Sequence, residues 1–274
     1  MSMLWKDGAI LPAAAPAILA NDRGFLLGDG LFETMKAMGG RPLRWSRHMA
    51  RLRAGAALFE LPLEWSDEAL REAALALIAR NGLSDAALRL TLTRGPGERG
   101  LLPPEAPQPT LLITAAPLPA PAGPARAVLA ETAHRDEHSI LARIKSLNYL
   151  EGVLARMEAR RRGADDALLR NLAGRLAEAS AANLFLVLEG RLVTPPVSEG
   201  ALPGTMRAEL MAIERVEERP LEPASLATAS EAFLANSLGL RALVAVEGRA
   251  IGGGEPGPVT RKLQAAIAAT EREG

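Results

Sequence analysis

Residues 86–93 (AALRLTLT) place Ala86, Leu88, Leu90 and Leu92 on one side and Arg89, Thr91 and Thr93 on the other. A period of two predicts a strand with one face buried, and Thr110–Ala115 reads as its neighbour. Leu31–Met38 and Arg41–Arg44 flank Gly39–Gly40, which predicts a hairpin, because its turn needs positive φ. Met49, Leu52 and Ala56 recur at helical spacing and predict a helix over Ser46–Phe59 with Ser46 as N-cap. A second helix is predicted over Ser66–Arg80, with Asp67 and Glu68 at its positive end and Asn81–Gly82 as its stop.

Further along, strands are predicted at 126–132, 166–170, 176–180, 183–188, 231–236 and 242–246. Helices are predicted over Leu147–Arg162, striped by Leu150, Leu154 and Met157, from Gly204–Thr205, and from about Val259. Hairpins mixed with helices, without regular strand–helix alternation, indicate an α+β chain rather than a doubly wound sheet. Residues 117–124 (PLPAPAGP) carry four prolines, which neither continue a helix nor donate to a ladder. They are read as a linker between two α+β domains, 1–116 and 125–274, flanking a cleft suited to a ligand.

At 274 residues the chain is long enough to bury a core without disulfides. Thirty-two basic and 32 acidic residues cancel, which removes the electrostatic reason to expect a nucleic acid or anionic membrane partner. No apolar run approaches the roughly 18–20 residues that cross a bilayer, and the N-terminus lacks a signal-peptide pattern. The absence of cysteine excludes thiolate chemistry and suits a cytoplasmic setting. The chain has four lysines, Lys6, Lys36, Lys145 and Lys262, which narrows any search for a catalytic amine.

Lys145 stands among apolar neighbours at the entry to a predicted helix. Burial there would favour the neutral amine, the form that condenses with carbonyls; the alternative is a solvated lysine at a helix start. Tyr149, the sole tyrosine, falls one helical turn later and is either a phenol beside a ligand or a packed aromatic. Glu178, among small and apolar residues on a predicted strand, needs a cationic partner, which a protonated heterocycle or an arginine could provide. Three features could hold an anion: Gly204–Thr205–Met206 opening a helix, the Ser237–Leu238 turn after a strand, and Arg51 with His48 one turn earlier. Each is equally compatible with ordinary capping or a solvated charge. The loop 94–100 (RGPGERG) could offer Arg99 to a carboxylate or be a solvated turn. His134 and His138 lack further matching ligands, and no metal is expected.

In this order the segments 22–34 (DRGFLLGDGLFET), 48–52 (HMARL), 144–148 (IKSLN), 178–185 (EASAANLF) and 202–207 (LPGTMR) resemble the class IV aminotransferases, the fold-type IV pyridoxal 5′-phosphate (PLP) enzymes. The likeness runs nearly end to end. It implies a small N-terminal α/β domain and a larger barrel-like C-terminal one with the active site between them, in a homodimer. It further implies that Lys145 holds PLP covalently and shuttles protons, and that Glu178 pairs with the ring nitrogen. Arg51, Thr205, Met206, Ser237 and Leu238 would cradle the phosphate, with Tyr149 near the 3′-oxygen.

Which small amino or carboxylate substrate is used rests on other residues. Phe32–Glu33–Thr34 and the loop 94–100 look like 4-amino-4-deoxychorismate lyases, which release 4-aminobenzoate and pyruvate for folate synthesis; this is the first expectation. D-Amino-acid aminotransferases are similar in 144–148 and in 260–264 (TRKLQ) but use a tyrosine and a histidine where this chain has Phe32 and Leu101. Branched-chain aminotransferases share Phe32, Glu33 and Tyr149 but usually have glycine in place of Thr34. A scaffold that has lost catalysis is the reading from another class.

Overall fold

The structure is a computed structural model that describes residues 2–273. The chain divides into two compact units, Met1–Ala120 with Ile144–Asn148, and Pro121–Arg143 with Tyr149–Gly274.

The first unit is built on strands β1 (Met3–Lys6) and β2 (Ala9–Pro12), a short helix α1 (Arg23–Leu27), β3 (Gly30–Met38) and β4 (Arg41–Pro42). Helices α2 (Trp45–Leu58) and α3 (Asp67–Arg80) follow, then β5 (Ala86–Thr93) and β6 (Thr110–Pro117). The six strands form an antiparallel sheet in the order β2-β1-β6-β5-β3-β4. The alternation in β5 puts Ala86, Leu88, Leu90 and Leu92 into a core with Leu31 and Met35 of β3, Met49 and Leu52 of α2, and Leu70 and Leu77 of α3. Gly39 and Gly40 take positive φ in the β3–β4 turn, and Ser66 caps α3 by accepting from the Ala69 amide. Helix α2 departs from expectation: it opens at Trp45, and its N-cap is Arg44 at φ 55° without a side-chain cap bond, not Ser46. The hairpin β1–β2 and α1 are too short to show a period and lie outside the sequence expectations.

The second unit comprises β7 (Ala125–Arg135), α4 (Leu150–Arg161), β8 (Asp166–Asn171), β9 (Leu176–Ala179), β10 (Asn183–Leu188), β11 (Arg191–Thr194) and α5 (Thr205–Ile213). It continues with β12 (Val216–Glu218), α6 (Ser225–Thr228), β13 (Glu231–Asn236), β14 (Gly239–Val246), β15 (Arg249–Ala250) and α7 (Pro258–Glu273). The sheet runs β12-β11-β10-β13-β14-β7-β8-β9, with β15 paired to β14, and a bridge between Ala179 and Ala182 turns its β9 end back toward β10. This is a half-barrel.

Strands buried on both faces read as continuous apolar runs rather than alternating ones. Leu184 and Leu186 of β10 and Leu234 of β13 point into one core. Phe185 and Phe233, stacked with centroids 4.9 Å apart, point into another with Met206 and Leu210 of α5 and Leu263 and Ile267 of α7. Ala155 and Ala159 of α4 pack on Val128, Ala130, Ala167 and Leu169.

Where the register of β7 against β8 shifts, between Leu129 and His134, Glu158 of α4 takes over from the ladder. Its buried carboxylate accepts from the amides of Glu131 (3.1 Å) and Thr132 (3.1 Å), the Thr132 hydroxyl (2.8 Å) and Arg162 (3.1 Å). Burial alone would raise its pKa, but these donors win and lower it to about 2. An acid so depressed stabilises the fold above its unfolded pKa, and that contribution disappears as pH falls toward 2. Glu158→Gln is therefore expected to destabilise by roughly 1–3 kcal/mol at neutral pH. Urea unfolding at a series of pH values checks this, since the gap from the parent protein should narrow below about pH 4.

Candidate active site

The predicted site residues fall into two groups, one in each unit. In the first unit the stretch carrying Lys145 is not the start of a helix but an extended segment laid against β3. Phe32 N–H donates to Lys145 O and Leu147 N–H to Gly30 O, both at 2.9 Å, and Leu31 bridges to Ser146. Gly30 permits this approach, because a Cβ there would lie 2.4 Å from Leu92 O and 2.9 Å from Leu147 Cδ1. The Lys145 side chain is half-buried, and its Nζ stands 4.3 Å from the centre of the Phe32 ring. Helix α4 starts at Leu150, so Tyr149 is its N-cap, and the predicted turn of helix between Lys145 and Tyr149 is absent.

On the same sheet the Arg89 guanidinium lies 3.8 Å from the centre of the Phe32 ring. Arg89 pairs with Thr34 in the β3–β5 register, so Phe32, Thr34 and Arg89 share the face opposite the core. Sequence reasoning misses Arg89, although its place as the one charge in an alternating strand is a usable signal.

Glu33 points the other way, into the core face. It is fully buried, at 0% exposure, and clamps Arg51: Nε donates to Oε1 at 2.8 Å and Nη2 to Oε2 at 2.6 Å, while His48 Nδ1 is 2.6 Å from Oε2. Burial opposes ionisation of Glu33, but the Arg51 and His48 bonds outweigh it and hold its pKa below the ordinary value. Burial pushes the His48 pKa down. Arg51 is thus held rigidly, with its charge balanced by Glu33.

Arg99 is exposed on a loop without regular structure. That loop is held from beneath by buried Arg23, which donates to Gly100 O (3.1 Å) and Leu101 O (2.8 Å) and, through Nε, to Asp29 (2.8 Å). Leu101 beside it is 82% exposed.

In the second unit Glu178 stands on β9 at 8% exposure. Its Oε2 accepts from Leu202 N–H at 3.0 Å and Asn183 Nδ2 at 3.3 Å, and its Oε1 lies 3.2 Å from Arg135 Nε. The cation demanded by this acid within the unit is Arg135, which local sequence patterns leave in a polar stretch beside His134. Asn183 also donates to Leu202 O at 2.8 Å, and a Cβ on Gly204 would come within 2.0 Å of its Oδ1, so glycine is required there. Gly204 is the N-cap of α5 and makes no side-chain cap hydrogen bond, and Thr205 and Met206, which open the helix, are buried; helix starts of this kind suit anions. Asn183 pairs with Ala235, so the Ser237–Leu238 turn after β13 lies at this same end of the sheet. The Leu238 amide already donates to Asn236 Oδ1 at 3.0 Å.

A family model described as amino-transferase class IV matches residues 30–246. The chain belongs to the class IV aminotransferase family. It is 32% identical over 269 residues to a putative branched-chain-amino-acid aminotransferase of Methanocaldococcus jannaschii, covering 95% of this chain and 93% of that one. The Escherichia coli branched-chain amino acid aminotransferase structure aligns with TM-score 0.92 at 27% identity, over 98% of this chain and 94% of that one. A putative 4-amino-4-deoxychorismate lyase from Legionella pneumophila aligns with TM-score 0.86 at 30% identity, over 94% and 97%. The expected α+β fold-type IV architecture is the observed one. Class IV aminotransferases are PLP enzymes, and this chain is a PLP-dependent member. The residues present fit that cofactor: an amine on a fixed backbone, a buried carboxylate for a ring nitrogen, and an uncapped helix start for a phosphate.

Proposed function

We infer that this enzyme is an aminotransferase for α-amino acids with apolar side chains, of the branched-chain type. The observation that carries the reading is the Phe32 ring, which touches both the Lys145 amine and the Arg89 guanidinium. An aromatic ring beside a guanidinium suits a substrate with an apolar side chain and a carboxylate. When bound, PLP supplies an electron sink for the bonds at the substrate α-carbon.

In this reading Lys145 is the catalytic residue: its Nζ holds the cofactor and moves the proton at the α-carbon. Glu178 would pair with the ring nitrogen. Arg51, the first amides of α5 at Thr205 and Met206, and Ser237 with Leu238 would hold the phosphate, and Tyr149 would serve the 3′-oxygen. Phe32, Arg89 and Arg99 are assigned to the substrate. Residues 125–274 are proposed as the cofactor-binding domain and 1–116 as the N-terminal one, with Ile144–Asn148, which carries Lys145, packed in the first compact unit; a cytoplasmic homodimer is proposed on the family resemblance.

A second reading, aminodeoxychorismate lyase, is favoured by the Thr34 hydroxyl on the Phe32 face, by the loop 94–100 and by the Legionella likeness. Purified enzyme is to be given L-leucine or D-alanine with 2-oxoglutarate and scored for glutamate, and separately aminodeoxychorismate scored for 4-aminobenzoate. Glutamate formed from L-leucine is the expected result. 4-Aminobenzoate without glutamate would replace this reading with the lyase, and glutamate from D-alanine alone would replace it with a D-specific transaminase.

Arg89→Ala and Arg99→Ala are each expected to weaken substrate binding by about 1.5–3 kcal/mol, the loss of one charge-assisted contact. The check is KM at unchanged folding; a variant whose KM matches the parent's removes that arginine from the site.

A further inference from the structure

We propose that Arg135 is a positioning residue for the cofactor, acting through Glu178 to fix the carboxylate that meets the ring nitrogen; this rests on the reading of Glu178 given above. Arg135 ends β7, and its own guanidinium is tied on several sides. Nε donates to Gly200 O at 3.1 Å, Nη2 to Ala142 O at 3.2 Å, and Nη1 to Glu151 Oε2 at 3.4 Å. Two of these acceptors are backbone carbonyls on separate segments, so the guanidinium plane is set by the fold. A planar fork held in that way can orient a carboxylate beside it.

The two oxygens of Glu178 are engaged from different directions. Oε2 takes the Leu202 amide and Asn183, and Oε1 meets Arg135 Nε at 3.2 Å. Without Arg135 the carboxylate would lose the guanidinium that stands 3.2 Å from its Oε1 and fixes the charge on that side. Other acids near Arg135 do not take its place. Glu151 is on the half-exposed side of α4, Glu199 pairs with Arg175 at 2.5 Å, and Glu137 accepts the Leu172 amide at 2.9 Å.

The competing explanation is that Arg135 merely staples Ala142 and Gly200 together. The two differ in what they predict for a cofactor that lacks the ring nitrogen. Purified protein is stripped of cofactor, and dissociation constants are measured by absorbance titration with PLP and with its deaza analogue, in which CH replaces the ring nitrogen. The parent protein is expected to prefer PLP by about ten- to a hundred-fold, the worth of a charge-assisted hydrogen bond. Arg135→Gln is expected to weaken PLP by about tenfold or more while leaving the analogue within about twofold, so the preference collapses.

Equal weakening of both ligands, no change in either, or tighter PLP binding would overturn the proposal. Glu178→Gln runs in parallel: a parent protein without preference, or a Glu178→Gln variant that retains it, sinks the role of Glu178 itself. Loss of preference in Glu178→Gln but not in Arg135→Gln sinks the role of Arg135 alone. If circular dichroism shows Arg135→Gln unfolded, Arg135→Lys takes its place, because a point-like ammonium lacks the planar fork that spans these separate acceptors. The same collapse is expected, and its absence counts equally against the proposal.

Discussion

Lys145→Ala is expected to abolish turnover, by at least about 10⁴-fold, and to remove the visible absorbance that a lysine-linked cofactor confers. The fold should survive. The segment is secured by backbone hydrogen bonds from Phe32 to Lys145 O and from Leu147 to Gly30 O, which do not involve the side chain. The side chain is half-buried, and its cation–π contact with Phe32 is worth about 0.5–2 kcal/mol. Thermal melting should therefore change little while kcat vanishes. A variant that melts like the parent and still turns over, with its absorbance intact, removes the amine from the chemistry and with it the proposed mechanism.

Glu33→Ala is expected to cost stability, by about 3–5 kcal/mol, because it leaves a clamped guanidinium and a buried imidazole without their shared acid. Glu33 is 0% exposed and His48 1%, so water cannot replace the carboxylate without opening the core. Chemical denaturation at neutral pH measures the loss. Cofactor affinity should fall in the same variant, since Glu33 orients Arg51 on the proposed phosphate side.

The pH dependence of the parent protein follows with a definite sign. Both Glu33 and His48 have folded pKa values below their ordinary ones, so the unfolded chain binds more protons at each. Stability from His48 is full above its ordinary value of 6.5 and is lost as pH falls below it. That from Glu33 is full above 4.5 and is lost on further acidification. Urea midpoints that stay flat between about pH 7 and about pH 4 would contradict the described network.

Part of the site is legible in the amino-acid order because its signals are local. Lys145 stands out among four lysines by its apolar setting, and Glu178 by being an acid in an apolar strand. The uncapped start of α5 can be read from Gly204, because the residues of a helix N-terminus are consecutive. Arg135 is not legible in this way, and Arg89 shows only as the one charge in an alternating strand: each matters through a partner on another strand, and register is not written in a period. The expected Ser46 cap gives way too, since Arg44 in a left-handed conformation opens α2 in its place.

The sequence by itself therefore determined the strands and helices whose side chains repeat with a period, the α+β class, and, through collinear motifs, the family and its cofactor. Tertiary structure decided where the Lys145 segment docks, which guanidinium answers Glu178, and how Glu33 serves Arg51. Periodicity reflects which face of one element avoids water, a property of neighbours along the chain. A buried charge pair reflects which two elements meet, and that depends on strand order and register, which arise when the whole core closes.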